Sequence, residues 1–287
     1  MKTSRPVMRY HGGKFRLAPW IMQFFPPHRI YVEPFGGAGG VLIQKPRVYS
    51  EVYNDLDSDV VNLFRVLRDR QLRLELIEAV VMTPYAREEF EMSWLPTDDP
   101  VERARRIVVR ASMGFGSAGA TKGSTGFRID SKREYETAQH TWAMQPDALA
   151  AAGERLAGVL IENRPAIDII ESHDSDQTLF YVDPPYVHDT RCFRHRGGHN
   201  AYRFEMADEE HLQLLEILKS VSGMVVLSGY PSELYTQALS EWECHQKEAR
   251  ISAGRGTTLR TECVWLNPAC SKAFRAEVGM FAERVPA

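Results

Sequence analysis

Six short runs rich in β-branched and aromatic residues are spaced along the chain: Ile30 to Glu33, Val48 to Tyr53, Val159 to Glu162, Leu179 to Val182, Met224 to Ser228 and Cys263 to Leu266. Amphipathic stretches separate them, and Phe15 to Phe24, Asp59 to Val81, Val101 to Ala111, Asp147 to Leu156 and Asp208 to Val221 read as helices. Strands alternating with helices specify an α/β protein, a mainly parallel sheet with helices on both faces. In the last helix Asp208 reads as the N-cap, and Leu212, Leu215 and Leu218 recur on one face. The alternation lapses between Thr83 and Gln145, where Met113 to Phe127 carries too many glycines for a regular element. Long loops in compact domains are usually functional or disordered. The expected organisation is therefore a domain formed by residues 1–81 and 156–287, interrupted by an inserted helical and loop subdomain at 82–155.

A chain of 287 residues suits one large α/β domain with an insertion. With 44% hydrophobic and 25% charged residues, collagen-like, disordered and disulfide-scaffold classes are excluded. No apolar run approaches the roughly 18 residues needed to cross a bilayer. Met1 to Tyr10 is polar and basic, so neither a secretory signal nor an anchor is expected, and a cytoplasmic protein is. Cys192, Cys244, Cys263 and Cys270 form no CxxC pair, which predicts reduced thiols and no zinc ribbon.

The net charge of −3 hides three basic segments. Arg103, Arg105, Arg106, Arg110, Lys122, Arg128, Lys132 and Arg133 form one; Arg191, Arg194, Arg196 and Arg203 a second; Lys247, Arg250, Arg255 and Arg260 a third. Solvated surface explains any one of them. Three in segments rich in Gly, Ser and aromatics favour convergence on a phosphate backbone.

Two motifs carry chemistry. Tyr31-Val-Glu-Pro-Phe-Gly-Gly-Ala-Gly-Gly40 is a strand, an acid and a glycine-rich turn, the form in which nucleotide-like cofactors meet the carboxyl end of a parallel strand. Asp55 follows Glu33 at close to the roughly 20-residue spacing at which an acid accepts ribose hydroxyls. Read as structure alone, Asp55 is a helix cap. Phe180-Tyr-Val-Asp-Pro-Pro-Tyr186 then places an acid and two prolines directly after a buried strand. An amino group on a planar heterocycle can donate one hydrogen to the Asp183 carboxylate and one to the Pro184 carbonyl, with Tyr186 as a stacking face.

These parts, with Arg9-Tyr-His-Gly-Gly-Lys14 before them and Asn54-Asp-Leu-Asp57 between, stand in the order found in the Dam-like (D12 class) N6-adenine DNA methyltransferases, which the chain resembles over most of its length. The resemblance implies a Rossmann-like methyltransferase fold, S-adenosylmethionine (AdoMet) as methyl donor, double-stranded DNA as partner and a target-recognition role for the insertion. It implies cofactor contacts from Tyr10, Lys14, Glu33, Phe35, Gly37, Gly39, Asp55 and Asp183. Asp183, Pro184, Pro185 and Tyr186 are the expected catalytic residues. Arg9, Lys122, Arg128, Arg194 and Arg196 are the DNA-binding candidates. His188, His195 and His199 lack supporting acid or cysteine spacing, so no metal is expected. A structural role for Glu262 weighs at least as much as a catalytic one. Rival readings are an enzyme acting on RNA adenine or cytosine N4, a DNA-binding module without turnover and, more weakly, an NAD-dependent dehydrogenase. The sequence names no recognition site, oligomeric state or restriction partner.

Overall fold

The computed structural model describes residues 5–116, 120, 125–129, 137–187, 203–253 and 256–282, and the backbone alone at 250–253, 256–258 and 277–282. In chain order its strands are β1 (Ile30–Glu33), β2 (Ser50–Asn54), β3 (Leu160–Glu162), β4 (Thr178–Val182), β5 (Met224–Gly229), β6 (Glu243–Ala253) and β7 (Gly256–Leu266). They form one seven-stranded sheet in the order β3-β2-β1-β4-β5-β7-β6. β1 to β5 run parallel, and β7 lies antiparallel between β5 and β6. This is the Rossmann-like, AdoMet-methyltransferase type of sheet expected from the sequence.

Its helices are α1 (Ala18–Ile21), α2 (Ser58–Arg68), α3 (Arg70–Met82), α4 (Arg87–Met92), α5 (Pro100–Met113), α6 (Ala138–Ala143), α7 (Gln145–Leu156), α8 (Ala166–Ser172), α9 (Asp208–Ser220), α10 (Glu233–Ala238) and α11 (Pro268–Ala282). Successive strand side chains point to opposite faces, and the strands divide accordingly between two cores. Tyr31, Tyr53, Leu179 and Tyr181 pack beneath α2, α3, α5 and α7. Val32, Val52, Phe180 and Val182 pack beneath α8, α9 and α10.

Several element readings are corrected. The helix expected from Asp59 to Val81 is two helices, because Asp69 leaves helical geometry and its carboxylate accepts from Gln71 N and Leu72 N at the start of α3. Phe15 to Phe24 supplies only α1 and a 3-10 turn at Met22–Phe24. The N-cap of α9 is Ala207, whose amide donates to Glu210, and Asp208 is the first helical residue. Leu212 is exposed; the buried face of that helix is His211, Leu214, Leu215 and Leu218. β6 was not read from the sequence at all.

Within residues 82–155, α5 and α7 complete the first core beside α2 and α3 through Ile107, Val108, Leu149 and Leu156. Arg155 of α7 also grips Glu51 of β2 with two hydrogen bonds of 2.7 and 2.8 Å, and Lys45 meets the same carboxylate at 2.8 Å.

Candidate active site

Helices wind one way from β1 through β2 to β3 and the other way from β4 to β5, so the sheet has a topological switch point between β1 and β4, where α/β proteins bind ligands. A cavity of about 300 Å³ opens there. Its walls are the residues just past four adjacent carboxyl ends: Glu33 to Ala38 after β1, Asp55 to Asp57 after β2, Pro165 to Ile167 after β3, and Asp183 with Pro185 after β4. The N-terminal Tyr10 to Lys14 and the segment Arg203 to Met206 close it.

The glycine-rich turn is shaped by two positions of positive φ. Gly37 has φ +48°, and a Cβ there would lie 2.8 Å from the Tyr10 ring; Gly39 has φ +61°, and a Cβ would lie 2.8 Å from Phe64. Only glycine fits such positions. Gly37 therefore lets Tyr10 lie close over the turn, whereas Gly39 serves the core packing and does not line the cavity. Tyr53 stacks on Phe64 at 4.1 Å and donates its hydroxyl to Gly37 O at 2.6 Å, fixing the turn from below.

Asp55 accepts Gly37 N on one oxygen and Asp57 N on the other, each at 2.8 Å. The expected helix-cap alternative falls to Asp57, whose Oδ1 accepts Asp59 N at the head of α2. Burial raises the Asp55 pKa to about 6 against the pull of those two amides. Glu33, at the end of β1, accepts the Tyr31 hydroxyl at 2.9 Å and Leu42 N at 3.1 Å. Burial, with Asp183 adding to it, pushes its pKa up to about 8.

Lys14 joins the N-terminal motif to the second one. Its ammonium donates to Gly12 O at 2.7 Å, pairs with Asp183 Oδ1 at 3.0 Å and lies 4.6 Å from the centre of the Tyr186 ring. Burial raises the Asp183 pKa to about 6, and Lys14 opposes the rise. Pro184 and Tyr186 are buried, and Tyr186 sits edge-to-face with Tyr230 at 4.5 Å. Tyr10, Lys14, Glu33, Phe35, Gly37, Asp55, Asp183 and Pro185 thus meet on one cavity.

Sequence reasoning missed Pro165 to Ile167, Arg203 to Met206, Gln213 and Leu214 on the wall. The first group was findable, since it follows a parallel strand at its carboxyl end. Arg203, expected to face phosphates, bridges Asp57 and Asp59 at 3.2 Å each, drawing its segment over the cavity. Four arginines of the first basic segment are likewise paired with acids. Arg103 and Arg110 pair with Asp59, Arg105 with Glu89 and Glu102, and Arg106 with Glu102. Of the DNA-binding candidates, Arg9 is half-buried beside Tyr10, and Arg128 is half-buried with its amide on Met113 O. Lys122, Arg194 and Arg196, with His188, His195, His199 and Cys192, lie outside the described residues. Among the described residues no cluster of three or more His, Cys, Asp or Glu is arranged for a metal, and no helix is long and apolar enough to cross a membrane.

The acidic lining, Asp55, Asp57, Asp183, Glu205 and Glu210, with Glu33 beside them as a group that keeps its proton up to about pH 8, has as counter-charges Lys14 and Arg203, both already paired. Such a cavity suits a ligand that brings positive charge and hydroxyl donors.

A sequence model of the D12 class N6 adenine-specific DNA methyltransferases matches residues 10–93, the stretch holding Tyr10, Lys14, the glycine-rich turn and Asp55. The chain is 26% identical over 278 residues to the Type II methyltransferase M1.LlaDCHI of Lactococcus lactis subsp. cremoris, covering 89% of this chain and 92% of that one. It is 22% identical over 272 residues to the DNA adenine methylase of Escherichia coli strain K12, covering 91% and 94%. A 65-residue stretch is 35% identical to the DNA adenine methylase of Haemophilus influenzae, 22% of each chain. These matches bear out the family resemblance read from the sequence.

Proposed function

With the D12 class as premise, we propose that this chain is a site-specific DNA methyltransferase that moves a methyl group from AdoMet to N6 of an adenine flipped out of duplex DNA. The observation that carries the reading is the meeting of Lys14, Glu33, Asp55 and Asp183 on one cavity, from four separate sequence segments. The cavity fits AdoMet in its chemistry. Gly37 leaves room for Tyr10 as an aromatic wall, Asp55 is a carboxylate for ribose hydroxyls, and the acidic lining favours a sulfonium and an ammonium.

AdoMet, when bound, supplies a methyl carbon made electrophilic by its bond to a sulfonium. The chain's part is to bring the amino nitrogen into line with that carbon. Asp183 and the Pro184 carbonyl accept the two amino hydrogens, which aims the nitrogen lone pair and stabilises the positive charge that grows on it. Lys14 holds Asp183 ionised and therefore able to accept. Flipping the base costs a few kcal/mol, which contacts to phosphates and to the vacated stack offset. Arg9, Lys122, Arg128, Arg194 and Arg196 are the proposed source of these contacts, and residues 82–155 the part that reads the target. The proposed compartment is the reducing cytoplasm, which the free thiols Cys244, Cys263 and Cys270 suit.

The test is incubation of the purified protein with labelled AdoMet and genomic DNA, then mass spectrometry of the nucleosides. N6-methyladenine is expected. N4-methylcytosine would replace the adenine reading, and a protein that binds AdoMet but labels neither DNA nor RNA would reject turnover.

A further inference from the structure

The Tyr186 ring is held at its far end as well as its root. Its hydroxyl donates to Oε2 of Glu262, 2.9 Å away and 76 residues later in the chain. Tyr186 is 7% exposed and Glu262 6%. Glu262 stands on β7 one residue before Cys263, the partner of Gly229 in the β5–β7 ladder, and Tyr230 follows Gly229 on the other strand. The carboxylate, Tyr230 and Tyr186 therefore gather at one corner of the sheet, beside Asp183. Tyr186 is confined by Tyr230 at 4.5 Å, by the Lys14 ammonium at 4.6 Å from the ring centre and, at the hydroxyl, by Glu262, with the Asp183 carboxylate as a second neighbour of the same hydroxyl.

A ring that only fills a core needs no carboxylate behind it, and burying a carboxylate is costly unless it is hydrogen-bonded. A ring that must present one face to a planar base does need its plane fixed, because stacking depends on that plane. We infer that Glu262 is a positioning residue for methyl transfer: by accepting the Tyr186 hydroxyl it sets the plane of the ring against which the target adenine stacks. The inference rests on the functional reading above. It also changes what the second motif predicts, since Tyr186 then works through both its ring and its hydroxyl.

The test compares Glu262→Ala, Glu262→Gln, Tyr186→Phe and the double variant Tyr186→Phe/Glu262→Ala. The readouts are single-turnover methylation at saturating AdoMet and DNA, AdoMet affinity, and fluorescence of a 2-aminopurine at the target position, which reports stacking without any chemistry. Glu262→Ala should slow single turnover about 10- to 100-fold, the scale of a lost hydrogen bond to a charged group, with AdoMet affinity unchanged. Its 2-aminopurine signal should show a flipped but poorly stacked base. Glu262→Gln keeps an acceptor oxygen and should recover most of the rate. The double variant should be no slower than Tyr186→Phe alone, since removing the hydroxyl already removes its bond to Glu262 along with its contact to Asp183. Losses that add in the double variant, a Glu262→Ala protein at the wild-type rate, or a loss matched by an equal fall in AdoMet-binding sites, would overturn the inference. Failure of the wild-type protein to make N6-methyladenine would instead sink the functional reading.

Discussion

Lys14 and Asp183 set the most direct prediction at the scale of single residues. The proposed role of Asp183 requires a carboxylate, and burial places its pKa at about 6 while Lys14 pulls it down. Single-turnover rate should therefore fall as pH drops through about 6, where the acceptor becomes a protonated acid. Lys14→Met removes the opposing cation and should move that inflection to higher pH. A rate profile flat across this range, or an inflection moved downward, counts against the assignment. Asp55 makes a second prediction. Asp55→Ala should cost about 1.5 to 3 kcal/mol of AdoMet affinity, the scale of hydrogen bonds to a charged group. Because Asp55 also accepts Gly37 N, part of that loss will come from a loosened turn. Titration calorimetry on the folded variant decides it, and an unchanged affinity rejects the ribose role. What was legible at this scale is what lies in short contiguous runs, where residue type and spacing state the chemistry. Glu262 and Arg203 were obscure because each is defined by a partner far away in sequence, Tyr186 and Asp57.

Among the elements, the break between α2 and α3 shows where apolar periodicity misleads. The pattern runs on through Asp69, yet that side chain caps the start of α3 more favourably than it would sit inside a longer helix. Asp69→Ala should destabilise the protein by about 1 kcal/mol, the usual cost of a lost N-cap, read as a lower thermal midpoint. An unchanged midpoint would mean that packing of Leu76 and Val80 alone fixes the break. The arginines of α5 teach the same lesson about charge. Glu102 is one turn away on the same helix, but Asp59 and Glu89 approach only through the fold. A basic run in sequence is not a basic surface until its acids have been located.

For the whole molecule, the acidic cavity couples stability to pH. The Glu33 pKa lies at about 8 in the folded protein against an ordinary 4.5, so between those values the folded state holds a proton that the unfolded chain has released. The stability this proton confers is complete below about pH 4.5 and is lost as pH rises towards about 8. Urea unfolding of the protein without AdoMet should show stability declining across that window. Glu33→Gln keeps an acceptor for Tyr31 and Leu42 and should flatten the decline, leaving the smaller contributions of Asp55 and Asp183. An equally steep decline in the variant would show that Glu33 is ionised throughout.

The switch point between β1 and β4 also decides when the molecule can exist. β6 and β7 are neighbours in the chain and pair at little loop-closure cost, whereas Ile30 must find Thr178 across the whole of α2 to α8. The contact that sets Glu33 against Asp183 is thus among the most non-local in the sheet, and non-local pairings close late. During synthesis a nascent chain that has not yet delivered β4 carries the glycine-rich turn complete, with no opposite wall to set against it.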